Sequence, residues 1–208
     1  MNTPPNPKRQ AILAAAKRLF VAQGYNAVSM DAIAEAAPVS KPTLYNHFQG
    51  KQELFAAVIE CQCQAFFDTL SSARMIPGAT EAALRQIAMS FADLIYSTES
   101  LGLLRLIIAE HPSFPELSQQ VHRRGIQPVF DRLTRFLVGL HEDDESIQIP
   151  DQERAAKLLL GMIQGNDHMR CLMGLRSPPD ANEKKIIVDS AVNLFLRGHR
   201  RSGPKVAL

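Results

Sequence analysis

Apolar residues at Ile12, Leu13, Ala16, Leu19 and Phe20 recur at three- and four-residue spacing, which places them on one face of a helix. Asn6-Pro7 supplies the start, because Asn accepts from free backbone N–H groups and Pro fits the first helical position; Gly24 offers a left-handed stop. Ser29 then caps a short second helix that contains Ile33 and ends near Ala37, and Pro38-Val39 breaks it. Ser40 caps a third short helix, predicted over 41–48, in which Pro42 sits in the first turn where its amide would be free in any case. Two short helices across a tight break, packed on a longer one, make a three-helix unit.

The remaining pattern is also helical. A long helix is predicted over 51–73 and is punctuated by Pro77-Gly78; others follow over 80–97, 101–110, 114–124, 126–140, 151–175 and 180–200. The breaks fall at His111-Pro112, at Gly125, in the acidic run 142–145 and at Pro178-Pro179. Alternating β-branched patterns and fixed-period repeats are missing, so the fold class is all-α: a small three-helix head, 1–52, followed by a helical bundle, 53–208.

Composition changes this picture only in its charge. The net charge of +2 hides an asymmetry: the first 52 residues carry six basic side chains (Lys8, Arg9, Lys17, Arg18, Lys41, Lys51) against Asp31 and Glu35. The rest of the chain holds 17 basic and 19 acidic residues. A basic head on a slightly acidic body fits a polyanion-binding module carried by a soluble domain. Three cysteines, two of them only two positions apart, make no disulfide framework, and no run approaches the length of a membrane span. A cytoplasmic, soluble protein is expected, with no membrane association.

The segment SMDAIAEAAPVSKPTLYNHFQGKQELF, residues 29–55, strongly resembles the helix-turn-helix of the TetR family of bacterial transcriptional regulators together with the start of its fourth helix. AILAAAKRLFVAQGY, residues 11–25, resembles that family's first helix. The residues themselves agree. Leu44 and Phe48, four apart, anchor the third helix and leave Lys41, Pro42, Thr43, Asn46 and His47 toward the exterior, where Thr43 and Asn46 are placed to read base edges. The resemblance adds Tyr45, His47 and Lys51 as phosphate contacts. Ser29 is either a phosphate ligand beside a helix N-terminus or an N-cap only, and Ser40 completes the expected surface. Lys8 and Arg9 are either backbone or minor-groove contacts or a solvated arm. In one respect the chain departs from the family: most relatives carry Gly where it has Pro38. Gly can adopt positive φ and Pro cannot, so a different turn, or an earlier end to the second helix, is expected.

The stretch RLIIAEHPSFPEL, residues 105–117, resembles the C-terminal domain of the AefR-like branch of the family. The resemblance implies a homodimer on double-stranded operator DNA, built on the last two long helices, and a small-molecule effector. Leu158, Met162, Gly165, Met169 and Leu172 form one apolar stripe, with Gly161 and Gly165 spaced for close helix approach; Ile187, Ala191, Leu194 and Phe195 repeat the pattern on the final helix. Plain intrachain core is the alternative for both stripes. A more polar stripe, Gln164, His168 and Cys171, is expected to line a cavity, with Phe91, Ile107, His111, Phe130 and Phe136 either as apolar or helix-end walls or as plain core, the latter favoured for each taken singly.

Other chemistry finds little support. His111, His122 and His168 with Glu110 and Asp167 lack the paired spacing of a metal site, and no cofactor is expected. Cys61 and Cys63 diverge by about 200° on a helix and read as unreactive thiols. No nucleophile elbow, P-loop or dinucleotide fingerprint suggests an enzyme. The sequence therefore predicts a DNA-binding regulator, a repressor released by its effector; the alternatives are an effector-independent regulator or activator and, more remotely, an all-helical enzyme.

Overall fold

The computed structural model describes residues 6–73 and 79–201. The predicted break at Pro77-Gly78 lies outside the described residues. The described residues form α1 (Pro7–Gln23), α2 (Met30–Ala36), α3 (Lys41–His47), α4 (Lys51–Ser72), α5 (Thr80–Ile95), α6 (Thr98–Glu110), α7 (Pro115–Val121), a π-helical turn (His122–Ile126), α8 (Gln127–Asp143), α9 (Gln152–Leu172) and α10 (Ala181–His199). One isolated bridge pairs Ile147 with Arg200. The all-α expectation is met.

The helix starts follow from local chemistry. Asn6 Oδ1 accepts from the amides of Lys8 and Arg9, Ser29 Oγ from Ala32, Ser40 Oγ from Thr43, and Asp151 Oδ1 from Arg154. Each satisfies amides that have no partner inside the helix. At α10, Asp180 accepts from the Glu183 amide at 2.8 Å and Glu183 from the Asp180 amide at 3.0 Å, a reciprocal capping box that the sequence reading passed over.

The turn between α2 and α3 keeps its closure despite Pro38. Ala37 N–H donates to Ile33 O at 2.9 Å, and Val39 N–H donates to Ala34 O at 3.1 Å, the six-residue bond of a Schellman end. Pro38 occupies the position where such ends turn left-handed, at φ 21°, a strained value for a ring that prefers about −65°. The second helix ends at Ala36, one residue earlier than expected, and the long-range bond of the turn survives.

Compactness divides the chain into two units, Met1–Gln64 with Thr98–Pro128, and Ala65–Ser97 with Val129–Leu208. In the first, α1, α2 and α3 bury Ile12, Phe20, Ile33, Leu44 and Phe48 against the first half of α4, to which Leu103 of α6 and Leu117 and Val121 of α7 add. Phe20, Tyr25 and Phe55 pack mutually with centroids 5.1–5.7 Å apart, and Phe114 closes on Tyr25 at 5.4 Å. Burial, with Glu116 and Glu110 nearby, pushes the Tyr25 phenol up to about 12.

Two glycines exchange their expected roles. The break predicted at Gly125 does not occur: Gly125 lies inside the π turn, where Gln127 N–H bonds back to His122 O and helix continues on both sides. The reason for glycine there is contact. A Cβ on Gly125 would stand 2.4 Å from Ile59 Cγ2, and beside it Arg124 grips Glu60 with two hydrogen bonds of 2.8 and 2.9 Å. Gly165, expected to lie within an unbroken stripe, instead breaks α9 with φ 50° and ψ −166°.

In the second unit α5, α9 and α10 bury Leu84, Ile87, Leu159, Leu160, Val188 and Val192. Arg85 pairs with Glu81 and Asp189, and Arg176 with Asp167 and Glu183. His168 is buried edge-on to Tyr96 at 5.6 Å. Burial holds its imidazole below the ordinary value of 6.5, and a hydrogen bond with the Ile95 backbone opposes the shift. The unfolded chain therefore binds the proton more readily. His168's contribution to stability is full above about pH 6.5 and is lost as pH falls toward the lower folded value. Denaturant titrations from pH 7.5 to 5.5 are expected to show this acid loss, and His168→Gln to flatten it; an unchanged slope in the variant would remove His168 as its source.

Candidate nucleic-acid interface

The DNA-reading residues predicted from sequence gather on α3 and its flanks. Leu44 and Phe48 are buried and hold the helix against the core, while Lys41, Pro42, Tyr45 and Asn46 are exposed on the other side. Thr43 and His47 are half-buried along the edges. Tyr45 is left 44% accessible beside Asn46.

Hydrogen bonding sets what each group has left to offer. Ser40 Oγ accepts from the Thr43 amide at 3.3 Å and shares a 2.8 Å bond with Thr43 Oγ1. Whichever hydroxyl donates, one proton and several lone pairs remain for an incoming base or phosphate. Ser29 accepts from Ala32 and keeps its own hydroxyl hydrogen. Lys41 Nζ is tied to Asp31 of α2 at 2.8 Å, a pair with both side chains more than half exposed. That hydrogen bond and charge raise the Lys41 pKa and tie the start of α3 to the first turn of α2. Screening makes such an exposed pair easy to exchange for a phosphate.

Lys51 is placed differently from its neighbours. Its Nζ donates to the carbonyls of Tyr25 at 2.9 Å, Asn26 at 3.2 Å and Val28 at 2.9 Å, and lies 4.6 Å from the Tyr25 ring centroid. All three ammonium hydrogens are thus engaged with the α1–α2 connection. Burial lowers the Lys51 pKa, against the nearby Glu110 carboxylate. This clamp was not legible in the sequence, since nothing in the spacing of residues 25–51 tells that the chain folds its free carbonyls under the start of α4. Arg9, expected as a DNA contact or a solvated arm, has its guanidinium over the Phe48 ring, 5.3 Å from the centroid, so the basic end of α1 adjoins the end of α3.

The residues predicted for an effector do not all come together. Ile107 and His111 share a groove of about 530 Å³ in the first unit with Pro115, Gln119, His122 and Arg123, where His111 Nδ1 and Ser118 Oγ are 3.0 Å apart. Gln164 lines a recess of about 450 Å³ in the second unit. Phe91 is buried in that unit with Phe66 at 5.6 Å, His168 is buried against Tyr96, and Phe130 and Phe136 are half-buried on α8.

The predicted dimer stripe also divides. Leu158, Met169 and Leu194 are 54–62% exposed, with Gly165 exposed between them, and Met162, Leu172 and Ile187 are half-buried. Phe195 is a correction: it is buried within the chain, with its ring tilted against its own His199 at 4.3 Å, while Ala191, also buried, lies at the wall of the recess that Gln164 lines. The four positions chosen on α10 span a wide arc, and its far edge faces α5 and α9. Among the described residues no helix is long and apolar enough to cross a membrane.

Comparison with known proteins agrees with this geometry. Residues 12–58 match the profile of bacterial regulatory proteins of the tetR family, and residues 82–201 match that of the AefR-like transcriptional repressor C-terminal domain. The chain is 32% identical over 135 residues to the HTH-type transcriptional activator FasR of Mycolicibacterium smegmatis, covering 64% of this chain and 61% of that protein. It is 30% identical over 161 residues to the HTH-type transcriptional regulator AcrR of Shigella flexneri, covering 76% and 75%. A putative TetR-family regulator from Mesorhizobium loti superposes with a TM-score of 0.77 at 27% identity, over 93% of this chain and 97% of that one. This is the fold of DNA-binding regulators and not of an enzyme family. With a helix-turn-helix of this shape and matching profiles over both parts, the chain belongs to the TetR family and is a transcriptional regulator.

Proposed function

We propose that the chain binds a palindromic operator as a homodimer, represses the adjoining gene, and is released by a small, largely apolar effector. Residues 1–52 act as the reading head and residues 53–208 as the dimerisation and effector part, in the cytoplasm. The observation that carries the reading is α3: it is anchored by Leu44 and Phe48 and leaves Pro42, Tyr45 and Asn46 exposed among the described residues. Two such helices in a dimer enter successive major grooves about 34–36 Å apart.

Within that surface the roles differ by chemistry. Thr43 and Asn46 meet base edges, whereas Tyr45, His47, Lys41 and Ser29 meet phosphates and set register. Thr43→Ala is expected to relax base preference at one position of each half-site by about tenfold. Tyr45→Phe is expected to weaken every sequence alike, by about three- to tenfold. Selection from a random duplex pool with the wild type and both variants reads this directly. A wild-type pool without a two-fold repeat sinks the operator proposal, and identical behaviour of the two variants sinks the division of roles.

Effector release follows from linkage. A ligand that lowers DNA affinity must itself bind less tightly to the DNA complex, by the same factor. A structural relative, 28% identical with a TM-score of 0.69, is named a flavonoid-responsive regulator, which supports a largely apolar effector. The relative named as an activator favours a second reading of the sign, in which the same DNA complex raises transcription. Reporter output with and without the protein decides between them.

A further inference from the structure

The break in α9 lies in the face proposed for dimerisation, and it is braced from behind. At φ 50° and ψ −166°, Gly165 has a backbone that essentially only glycine adopts, and it cannot continue the helical ladder. The carbonyls of Ile163 and Gln164 are the groups such a break releases. Both are met by a single side chain: the Tyr96 hydroxyl lies 3.1 Å from Ile163 O and 2.9 Å from Gln164 O, so its proton is shared between them. Tyr96 is 3% exposed, and its ring is held edge-on to His168 three residues beyond the break. The far half of α9 is secured again by Asp167, paired with Arg176 at 2.7 Å, while Arg176 also bonds Glu183 of α10.

On the outer side, the break leaves a recess of about 450 Å³ between α9 and α10, lined by Met162, Gly165, Asn166, Ile187, Ser190 and Leu194. A Cβ built on Gly165 meets nothing within 4 Å, so packing inside this chain does not explain the glycine. The rim is apolar and exposed, with Leu158, Ile186 and Leu194 each more than half accessible. Asp167, the one carboxylate among the described residues lining the recess, is already paired with Arg176.

Resting on the homodimer reading, we propose that the Gly165 break builds a socket in the dimer face. It receives an apolar side chain of a second copy of this chain, and Tyr96 is the positioning residue that holds it open. Isologous pairing uses the same patch twice, so each copy supplies both the socket and the leucine-rich rim that fills the other. A recess of this size holds one large aliphatic side chain with room to spare, the kind of anchor that dominates interface energy.

Three variants of the full chain test this: Gly165→Ala, which forbids the break, Tyr96→Phe, which keeps the ring and removes the donor, and Gly161→Ala as a helical control. Gly161 is exposed one turn earlier with open space around it. Sedimentation over a dilution series gives each dimer constant, and circular dichroism checks helix content. Dimer dissociation constants raised about tenfold or more in Gly165→Ala and Tyr96→Phe, and by less than threefold in Gly161→Ala, are expected. Equal weakening by both glycine variants would make α9 a close-approach stripe and overturn the socket. Unchanged dimerisation with lowered melting temperature in Tyr96→Phe would leave Tyr96 purely structural and overturn its role. A wild type that stays monomeric at every concentration would instead remove the dimer reading itself.

Discussion

Replacing Gly125 with alanine is expected to lower the stability of the first unit by about 2 to 3 kcal/mol, the range for forcing a methyl into a packed site. The new Cβ would stand 2.4 Å from Ile59 Cγ2, and Ile59 is itself buried. A β-branched side chain on a helix has one strongly preferred rotamer, so the methyl group has nowhere to retreat. Either the π turn or α4 must move, and the paired Arg124–Glu60 side chains resist that displacement. The double variant with Ile59→Ala removes the obstruction. Adding Gly125→Ala in the Ile59→Ala background is expected to cost less than 1 kcal/mol, a coupling that urea titrations of the four-protein cycle would measure. Strict additivity would mean that the contact does not govern Gly125.

Lys51→Met is expected to cost about 2 kcal/mol, because three backbone carbonyls lose a charged donor. Methionine preserves most of the stem that covers the Tyr25 ring, so the loss reports on the ammonium. Thermal denaturation is expected to show the head melting earlier, and DNA binding below that transition is expected to keep its salt dependence. The opposite pattern, unchanged melting with a salt slope reduced by about one, would make Lys51 a phosphate contact and not a clamp.

Sequence patterning carried the helical architecture because its signals are local. Periodic apolar residues, Asn, Ser and Asp caps, and the helix-turn-helix pattern of residues 29–55 all act within a few turns of chain. The recognition helix was legible for the same reason: Leu44 and Phe48 are four apart, and their burial settles which side of α3 is free. Glycine was where the reading failed twice. A glycine in a helical pattern stands there for its backbone or for its missing side chain, and sequence does not say which. Gly125 looked like a stop and is a contact; Gly165 looked like a contact and is a stop.

Long-range pairings escaped for a related reason. Lys41 with Asp31, Lys51 with the carbonyls near Tyr25, and Arg9 over Phe48 join residues ten or more positions apart. Charge counting saw only a basic head. Lys51 is engaged by the carbonyls of the α1–α2 connection, so the cations left to neutralise phosphates are fewer than the count suggests. The effector residues were chosen from apolar faces without a diagnostic spacing, and they fall on separate units in the fold.

The central claim is that this chain recognises a specific operator, and the most direct measurement is binding of the full-length protein to the DNA flanking its own gene. Fluorescence anisotropy across a salt series, with excess unrelated duplex as competitor, separates specific from sequence-blind binding. The account predicts tight, competitor-resistant binding that weakens steeply as salt rises. Weak binding, displaced equally by any duplex, at this site and at every site enriched from a random pool, would contradict it.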